Sequence, residues 1–238
     1  MLQALGENLF KMFLEQNIKG LCAKFGVDFY QLLKDFDVDH VTELSVLDLE
    51  AIAEEYEVDF YSLLFKPLYV FDHLKSKIAA IKLLILDVDG VMTDGGMYYS
   101  ENGDQIKKYN TKDGMAIIKA QEKGIMCGII SSAFTDKMVL NRAETLKIKQ
   151  VYVGRDSKIT ILKQWCEELK LSLEEIAIIG DDINDLSIMH EVGLKVCPKD
   201  AVQEVKKVAD IVLTKNGGAG CVREFIDHFL LPEPLNEY

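Results

Sequence analysis

Asp87 and Asp89 stand two residues apart in Asp87-Val88-Asp89-Gly90-Val91-Met92-Thr93-Asp94, immediately after an apolar run at 81–86. Two further apolar runs end in a similar way. The run at 126–130 leads into Ser131-Ser132, and the one at 176–179 into Gly180-Asp181-Asp182-Ile183-Asn184-Asp185. Between these, Lys158 opens a stretch of helical period. Clustered carboxylate oxygens suit a hard cation such as Mg2+. That cation and a lysine would neutralise a phosphoryl group, a hydroxyl could orient it, and an aspartate can take it covalently. The demand on such a site is large, because phosphate-monoester hydrolysis calls for accelerations of up to about 10²¹-fold. Positioning and charge neutralisation supply most of that. A lone pair of aspartates falls short; the whole set is required.

The elements that would position these residues follow from the same runs. Continuous apolar strands alternating with helical periods, at 115–123 and 158–169, mean a parallel sheet covered on both faces. Ligands on such sheets bind beyond the carboxyl ends of the strands, so the four clusters converge on one edge. Asn102-Gly103, a strong tight-turn dipeptide, lies between 97–100 and 105–109 and predicts a β-hairpin. Neither 94–131 nor 158–181 is long enough for a separate cap domain. The expected fold is α/β: a Rossmann-like three-layer parallel sheet with a β-hairpin flap over 78–238, ending in a loose tail at 232–238.

Residues 1–77 read differently. They carry a formal charge of −7, against −5 for the remainder and −12 in total, and contain no arginine. Val27-Asp28-Phe29-Tyr30-Gln31-Leu32-Leu33 recurs 31 residues later as Val58-Asp59-Phe60-Tyr61-Ser62-Leu63-Leu64, each copy preceded by a helix-like stretch. Asp sits where an N-cap belongs, with an apolar pair one turn on. The expectation is a small all-α domain, a compact pseudo-symmetric bundle of two helix–turn–helix repeats. Residues 49–64 resemble the later helices of phage-repressor-type helix-turn-helix domains. Their electrostatics oppose DNA binding, since phosphate contacts supply most DNA affinity. Oligomerisation or docking to a protein suits the segment better.

The net charge of −12 argues against a nucleic-acid or anionic-membrane surface. It does not exclude a phosphate substrate, because a bound cation reverses the local field. Cys22, Cys127, Cys166, Cys197 and Cys221 are dispersed, without metal-like spacing, and read as reduced thiols of a cytoplasmic protein. His40, His73, His190 and His228 show no ligand spacing. The first thirteen residues have the pattern of an amphipathic helix, interrupted by Glu7 and Lys11, and no run has the roughly 18 apolar residues of a membrane helix.

In order and spacing, 87–94, the Ser131 strand end, Lys158 and 180–186 resemble the four motifs of the haloacid dehalogenase superfamily. The resemblance covers 80 to about 230. It implies that Asp87 is a nucleophile forming an aspartyl-phosphate. Asp89 would protonate the departing alkoxide and then activate water. Asp181 would ligate Mg2+ together with Asp87 and the Asp89 carbonyl, while Asp182 and Asp185 would hold the metal's waters. Ser131 and Lys158 would bind the transferring phosphoryl group.

A narrower likeness rests on 93–99, on Lys107-Lys108-Tyr109-Asn110-Thr111-Lys112-Asp113-Gly114, and on Gly217-Gly218-Ala219-Gly220-Cys221-Val222-Arg223-Glu224. These stretches resemble the 3-deoxy-D-manno-octulosonate 8-phosphate phosphatases and their nonulosonate-phosphate relatives. Those are capless tetramers in which a hairpin replaces the cap and a neighbouring subunit helps close each site. The likeness implies a phosphorylated sugar acid as substrate, with contacts from Gly90, Thr93, Asn110, Lys112, Asp113, Ser132 and Arg223, and a homotetramer. An eight-carbon octulosonate 8-phosphate is expected, with a nine-carbon nonulosonate 9-phosphate as the alternative.

The chain departs from the family at Ser131-Ser132-Ala133, where relatives read Thr-Gly-Arg, and the connection to Arg142 is one residue longer. An arginine able to touch substrate is thereby lost, and the phosphate ligand is either Ser131 or Ser132. Lys112 replaces an arginine and forgoes its bidentate fork. Arg223 has a second reading, a salt bridge pinning the last helix. The 217–220 stretch could be only a flexible loop, and Tyr98, Tyr99 and Tyr109 are expected to pack the hairpin. The competing class is a noncatalytic regulatory protein, with the site kept as a metal sensor and the N-terminal domain as its output. Retention of both Asp87 and Asp89 argues against it, because a binder has no use for an acid/base at that spacing.

Overall fold

In the computed structural model, residues 2–65, 72–101, 105–132 and 137–231 are described. The Asn102-Gly103 turn, Ala133 and the tail at 232–238 lie outside these residues. The chain divides into two units, Met1–His73 and Leu74–Tyr238.

The first unit is helical: α1 (Leu2–Phe25), α2 (Phe29–Asp35), a 3₁₀ turn at Val41–Glu43, α3 (Val46–Glu55) and α4 (Phe60–Phe65). The 31-residue repeat is visible in its geometry. Gly26 and Glu57, one repeat apart, both take left-handed φ values, 70° and 52°. Val27 N–H donates to the Cys22 carbonyl at 2.9 Å, and Val58 N–H to that of Ala53 at 2.8 Å. The equivalent rings of Phe25 and Tyr56 meet each other, centroids 5.0 Å apart. Asp28 caps α2 by accepting from Gln31 N–H at 2.8 Å, a contact of about 1 kcal/mol in typical helices. The apolar pairs Leu32, Leu33 and Leu63, Leu64 share a core with Leu14, Ile18, Leu21, Leu49 and Ile52. Asn17 enters that core fully buried and donates to the Leu63 carbonyl at 2.8 Å.

Helix α5 (Asp72–Ala80), which begins just before the second unit, precedes β1 (Leu83–Leu86), and in that unit a six-stranded sheet runs β5-β4-β1-β6-β7-β8. Its strands are β4 (Met126–Ser131), β5 (Gln150–Val153), β6 (Ile176–Ile179), β7 (Leu194–Cys197) and β8 (Ile211–Val212), and every pairing is parallel. Between them lie α6 (Thr111–Glu122), α7 (Lys137–Thr145), α8 (Lys158–Leu169), the short α9 (Leu186–Met189) and α10 (Gln203–Val208). After β8, α11 (Cys221–Phe225) continues into a wider turn at Ile226–Leu230. The central strand β1 is apolar and buried at all four residues, because neighbours and helices cover both its faces.

The apolar runs mark β1, β4 and β6. They do not mark β5, β7 or β8, which are short or interleave polar residues such as Gln150 and Lys195. The hairpin strands are shorter than 97–100 and 105–109. Only β2 (Tyr98–Tyr99) and β3 (Gln105–Ile106) pair, antiparallel, with Tyr98 opposite Ile106. Tyr109 instead forms an isolated bridge with Thr93. Tyr98 and Tyr99 are exposed rather than packed. Two strand residues on each side offer too little surface to cover a tyrosine ring. Among the described residues, no helix is long and apolar enough to cross a membrane.

Candidate active site

Three parallel strand ends and one helix start assemble the site. Asp87 follows β1, its N–H extending the sheet by donating to the Ile179 carbonyl at 3.1 Å. The chain then folds into the turn Val88–Met92, closed by Thr93 N–H on the Val88 carbonyl at 3.0 Å. Gly90 makes this turn possible twice over. Its φ of 88° lies in the left-handed region, and a Cβ there would stand 2.0 Å from Asp181 Oδ2. Between β6 and α9, Asp182 caps the turn Ile183–Asp185. Asp185 Oδ2 accepts from the N–H groups of Asp181 at 3.0 Å and Asp182 at 3.4 Å. That fold-back drives Asp185 to full burial.

Lys158, first residue of α8, joins these carboxylates. Its Nζ donates to Asp87 Oδ1 at 2.7 Å and to Asp185 Oδ1 at 2.6 Å. All three side chains are less than a tenth exposed. Burial works to lower the Lys158 pKa, but Asp87 and Asp185 outweigh it and the net shift is upward. One ammonium cannot balance the cluster. Burial first, then the Asp185 charge, push Asp87 up to about 7. Burial, with Asp87, Asp185 and Asp182, pushes Asp181 up to about 8.

Oxygens of Asp87, Asp181 and Asp185 lie within 4.8 Å of one another. Asp181 Oδ1 is buried with no hydrogen-bond partner. Surplus negative charge, all-oxygen donors and an orphaned carboxylate oxygen fit a hard divalent cation. Asp182 stands outside this triad. Its carboxylate is exposed and accepts from Ile183 N–H at 2.7 Å, while Asp185 is the residue whose carboxylate lies with those of Asp87 and Asp181.

The remaining residues singled out from the sequence divide by what they touch. Ser131 ends β4 buried, while Ser132 is half-buried. With Leu86 opposite Ile129, Ser131 lies one residue beyond the level of Asp87. Thr93 is buried, its Oγ1 donating to the Val88 carbonyl at 3.2 Å. Asn110 caps α6 by accepting from Lys112 N–H at 2.8 Å and donates to the Gly218 carbonyl at 3.1 Å. Asp113 is buried and accepts from Arg223 N–H at 2.7 Å. Burial holds its pKa up at about 6 against the pull of those backbone N–H groups. Lys112 is exposed on the first turn of α6. Arg223 pairs through Nε with Asp227, four residues on along the last helix. Thr93, Asn110, Asp113 and Arg223 are thus engaged in ties within the protein.

The 217–220 stretch packs on the Val88–Met92 turn. Gly218 N–H donates to the Val91 carbonyl and Gly217 N–H to Asp200 Oδ1, each at 2.9 Å. A Cβ on Gly217 would fall 1.8 Å from the Gly90 carbonyl oxygen, so two backbones meet where no side chain fits.

Two contacts escaped the sequence reading. Lys107 buries its side chain to 4% exposure and pairs with Asp89 Oδ1. Arg142 reaches from α7 to donate to the Asn110 carbonyl at 3.2 Å, with its guanidinium 5.4 Å from the Tyr109 ring centroid. Lys107 and Lys108 are indistinguishable by type. Arg142 served only to measure a connection, and nothing in its spacing signals its reach.

A family model described as haloacid dehalogenase-like hydrolase matches residues 147–226. The 3-deoxy-D-manno-octulosonate 8-phosphate phosphatase KdsC of Salmonella typhi is 38% identical over 164 residues, 69% of this chain and 87% of its own. The solved structure of the corresponding phosphatase from Yersinia pestis superposes with a TM-score of 0.66 at 37% identity, covering 68% of this chain and 87% of that one. The phosphatase from Moraxella catarrhalis, solved in complex with magnesium ion, phosphate ion and a KDO molecule, gives a TM-score of 0.65 at 32% identity, covering 68% and 92%.

Proposed function

The chain belongs to the haloacid dehalogenase-like hydrolases, in the family of the 3-deoxy-D-manno-octulosonate 8-phosphate phosphatases, and is a phosphoric monoester hydrolase; from that premise we propose that it hydrolyses 3-deoxy-D-manno-octulosonate 8-phosphate through an aspartyl-phosphate at Asp87. The observation that carries this reading is the buried contact of Lys158 with Asp87 and Asp185 beside Asp181. It sets a carboxylate nucleophile next to a fixed cation.

In the first step a carboxylate oxygen of Asp87 bonds to phosphorus and the ester P–O bond breaks. The departing alkoxide takes a proton from Asp89. In the second step water attacks the acyl phosphate, Asp89 takes the water's proton, and inorganic phosphate leaves Asp87 free. Lys158 holds Asp87 in place and offsets charge on the phosphoryl oxygens, with Ser131 or Ser132 orienting them. Mg2+, held by Asp87, Asp181, Asp185 and the Asp89 carbonyl, would supply further charge neutralisation when bound. The small-to-moderate exposure of Asp89, 37% at its side chain, suits a group that must meet a leaving oxygen and then water.

We extend the reading to a homotetramer and to an interaction role for the N-terminal helical unit, with a small-molecule sugar-acid phosphate as the ligand. The decisive assay is phosphate release from a panel of sugar-acid phosphates, with and without magnesium, using Asp87→Asn as the blank. Magnesium-dependent turnover of the octulosonate ester, lost in the variant, is expected. Turnover confined to a nonulosonate 9-phosphate would move the substrate to nine carbons. Silence across the panel from folded, magnesium-loaded protein would refute the sugar-acid reading.

A further inference from the structure

Asp89 has two carboxylate oxygens, and the protein treats them differently. Oδ1 accepts from the Lys107 ammonium, and Thr93 Oγ1 lies 3.4 Å from the same atom. Among the described residues no partner engages Oδ2. Lys107 is no casual surface pair, because its side chain is 4% exposed while the Asp89 side chain is 37% exposed. A lysine buried to that degree seldom lacks a partner. The adjacent Lys108 shows the contrast: 71% exposed, it approaches Asp94 only to 3.5 Å.

The backbone supports the same contact from both sides. The Thr93–Tyr109 bridge ties the end of the nucleophile turn to the strand leaving the hairpin. Lys107 directly follows β3, so the segment leaving the hairpin carries this side chain to Asp89. Arg142 and Asn110 anchor the following residues to α7 and to the 217–220 loop.

We propose that Lys107 is a positioning residue for the proton-transfer step: by occupying Oδ1 of Asp89 it fixes the carboxylate's rotamer and leaves Oδ2 as the oxygen that hands a proton to the leaving group. Proton donation by Asp89 belongs to the phosphatase reading above, and Lys107 stands on it. A carboxylate free to rotate would spend most of its time misaligned, and misplacement of a catalytic group by about 1 Å can cost about 10²-fold. The bonds broken and formed are those of the first step already described; Lys107 itself neither gains nor loses a proton.

The test varies the leaving group. Magnesium-loaded wild type, Lys107→Met and Lys107→Arg are assayed on p-nitrophenyl phosphate, phenyl phosphate and the best alkyl phosphate of the panel. The quantity compared is kcat/KM, which reports the steps through phosphoryl transfer to Asp87. p-Nitrophenolate departs without needing a proton; phenolate needs one more, and an alkoxide most. With Lys107→Met, kcat/KM should fall by up to about 10²-fold on the alkyl ester, by an intermediate factor on phenyl phosphate and by less than about threefold on p-nitrophenyl phosphate. Lys107→Arg, which keeps a cation at Oδ1, should recover most of the loss. Equal falls on all three esters, in protein whose melting is unchanged, would show that Lys107 only supports the fold and would overturn the proposal. So would a rise in KM for the sugar ester alone, which would place Lys107 on the substrate instead. If Lys107→Met does not fold, Lys107→Gln, shorter and uncharged, takes its place on the same three esters, with the same order of losses expected and equal losses overturning the proposal. Wild type that cleaves the aryl esters but no sugar-acid phosphate would defeat the substrate reading while still testing Lys107. Wild type inactive on every ester would remove the phosphatase mechanism and Lys107's role together.

Discussion

The two units bury the same kinds of apolar side chain, yet they treat polar groups in opposite ways. In the unit ending at His73, Asn17 is the one buried polar residue among the described residues, and it is a neutral amide that donates to the Leu63 carbonyl. In the unit beginning at Leu74, Asp87, Asp113, Lys158 and Asp185 are all at most 5% exposed, with Thr93 and Ser131 beside them. Burying charge is costly even when it is paired. The helical unit shows that this chain can close a core without it. The sheet unit therefore carries its buried charges for a reason other than stability: Asp87 and Asp185 share one ammonium beside Asp181, the kind of arrangement that clusters at functional sites.

Removing Lys158 should break that balance most severely. Lys158→Met keeps the volume and apolar stem but leaves Asp87, Asp181 and Asp185 facing one another. Deleting one partner of a buried pair typically costs about 3–5 kcal/mol, so a large drop in melting temperature is expected in chelator. A divalent cation replaces the lost charge, and saturating magnesium should raise the variant's melting temperature more than it raises the wild type's. A variant that melts like wild type in chelator would mean the carboxylates are simply protonated there and Lys158 bears no load.

Asp113 sharpens the comparison through pH. Its pKa is raised to about 6 by burial, above the ordinary value of 3.8, so the folded state binds its proton more tightly than the unfolded chain. Its contribution to stability is full below the unfolded value and is lost as pH rises through about 6. Asp113→Asn stays neutral and can still accept from Arg223 N–H. The difference in unfolding free energy between variant and wild type should therefore grow from pH 4 to 6 in the variant's favour. It should level off above that at up to about 3 kcal/mol, taking 1.36 kcal/mol per pKa unit. Urea titrations at several pH values would measure it. A gap that is constant across this window would show that Asp113 does not titrate there.

What was legible in the sequence follows from how each residue's place is determined. Asp87, Lys158, Asp181 and Asp185 could be located because continuous apolar runs and a helix start fix strand ends to within a residue, and strand ends in a parallel sheet share one edge. The helical repeat was legible because two copies of one pattern, 31 residues apart, repeat the same aspartate before a helix and the same apolar pair within it. The edge strands β5 and β8 left no such trace, since a half-buried strand needs no continuous run. Lys107 and Arg142 were hidden for a deeper reason. Whether Lys107 or Lys108 turns inward depends on the register of a bridge between Thr93 and Tyr109, which is tertiary information. The same holds for Asn110, Asp113 and Arg223, whose side chains or backbones are used in ties that no local pattern announces.

The smallest expected effect lies in the helical unit, and it tests whether the comparison between units is a real division of labour. Asn17→Ala deletes the neutral hydrogen bond to Leu63 and strands that carbonyl in an apolar core. An unsatisfied buried acceptor costs about 1–3 kcal/mol, and the loss of side-chain volume adds to it. The first unit should then lose protection, read by hydrogen exchange at α1 and α4, while exchange in β1 and β6 stays as in wild type. Phosphate release under saturating magnesium should stay within about twofold, because no buried charge is disturbed and each unit closes its own core. A parallel loss of protection in β1 would mean that the two units unfold as one. The absence of buried charge in the helical unit would then reflect a single shared stability limit rather than a separation of scaffold from chemistry.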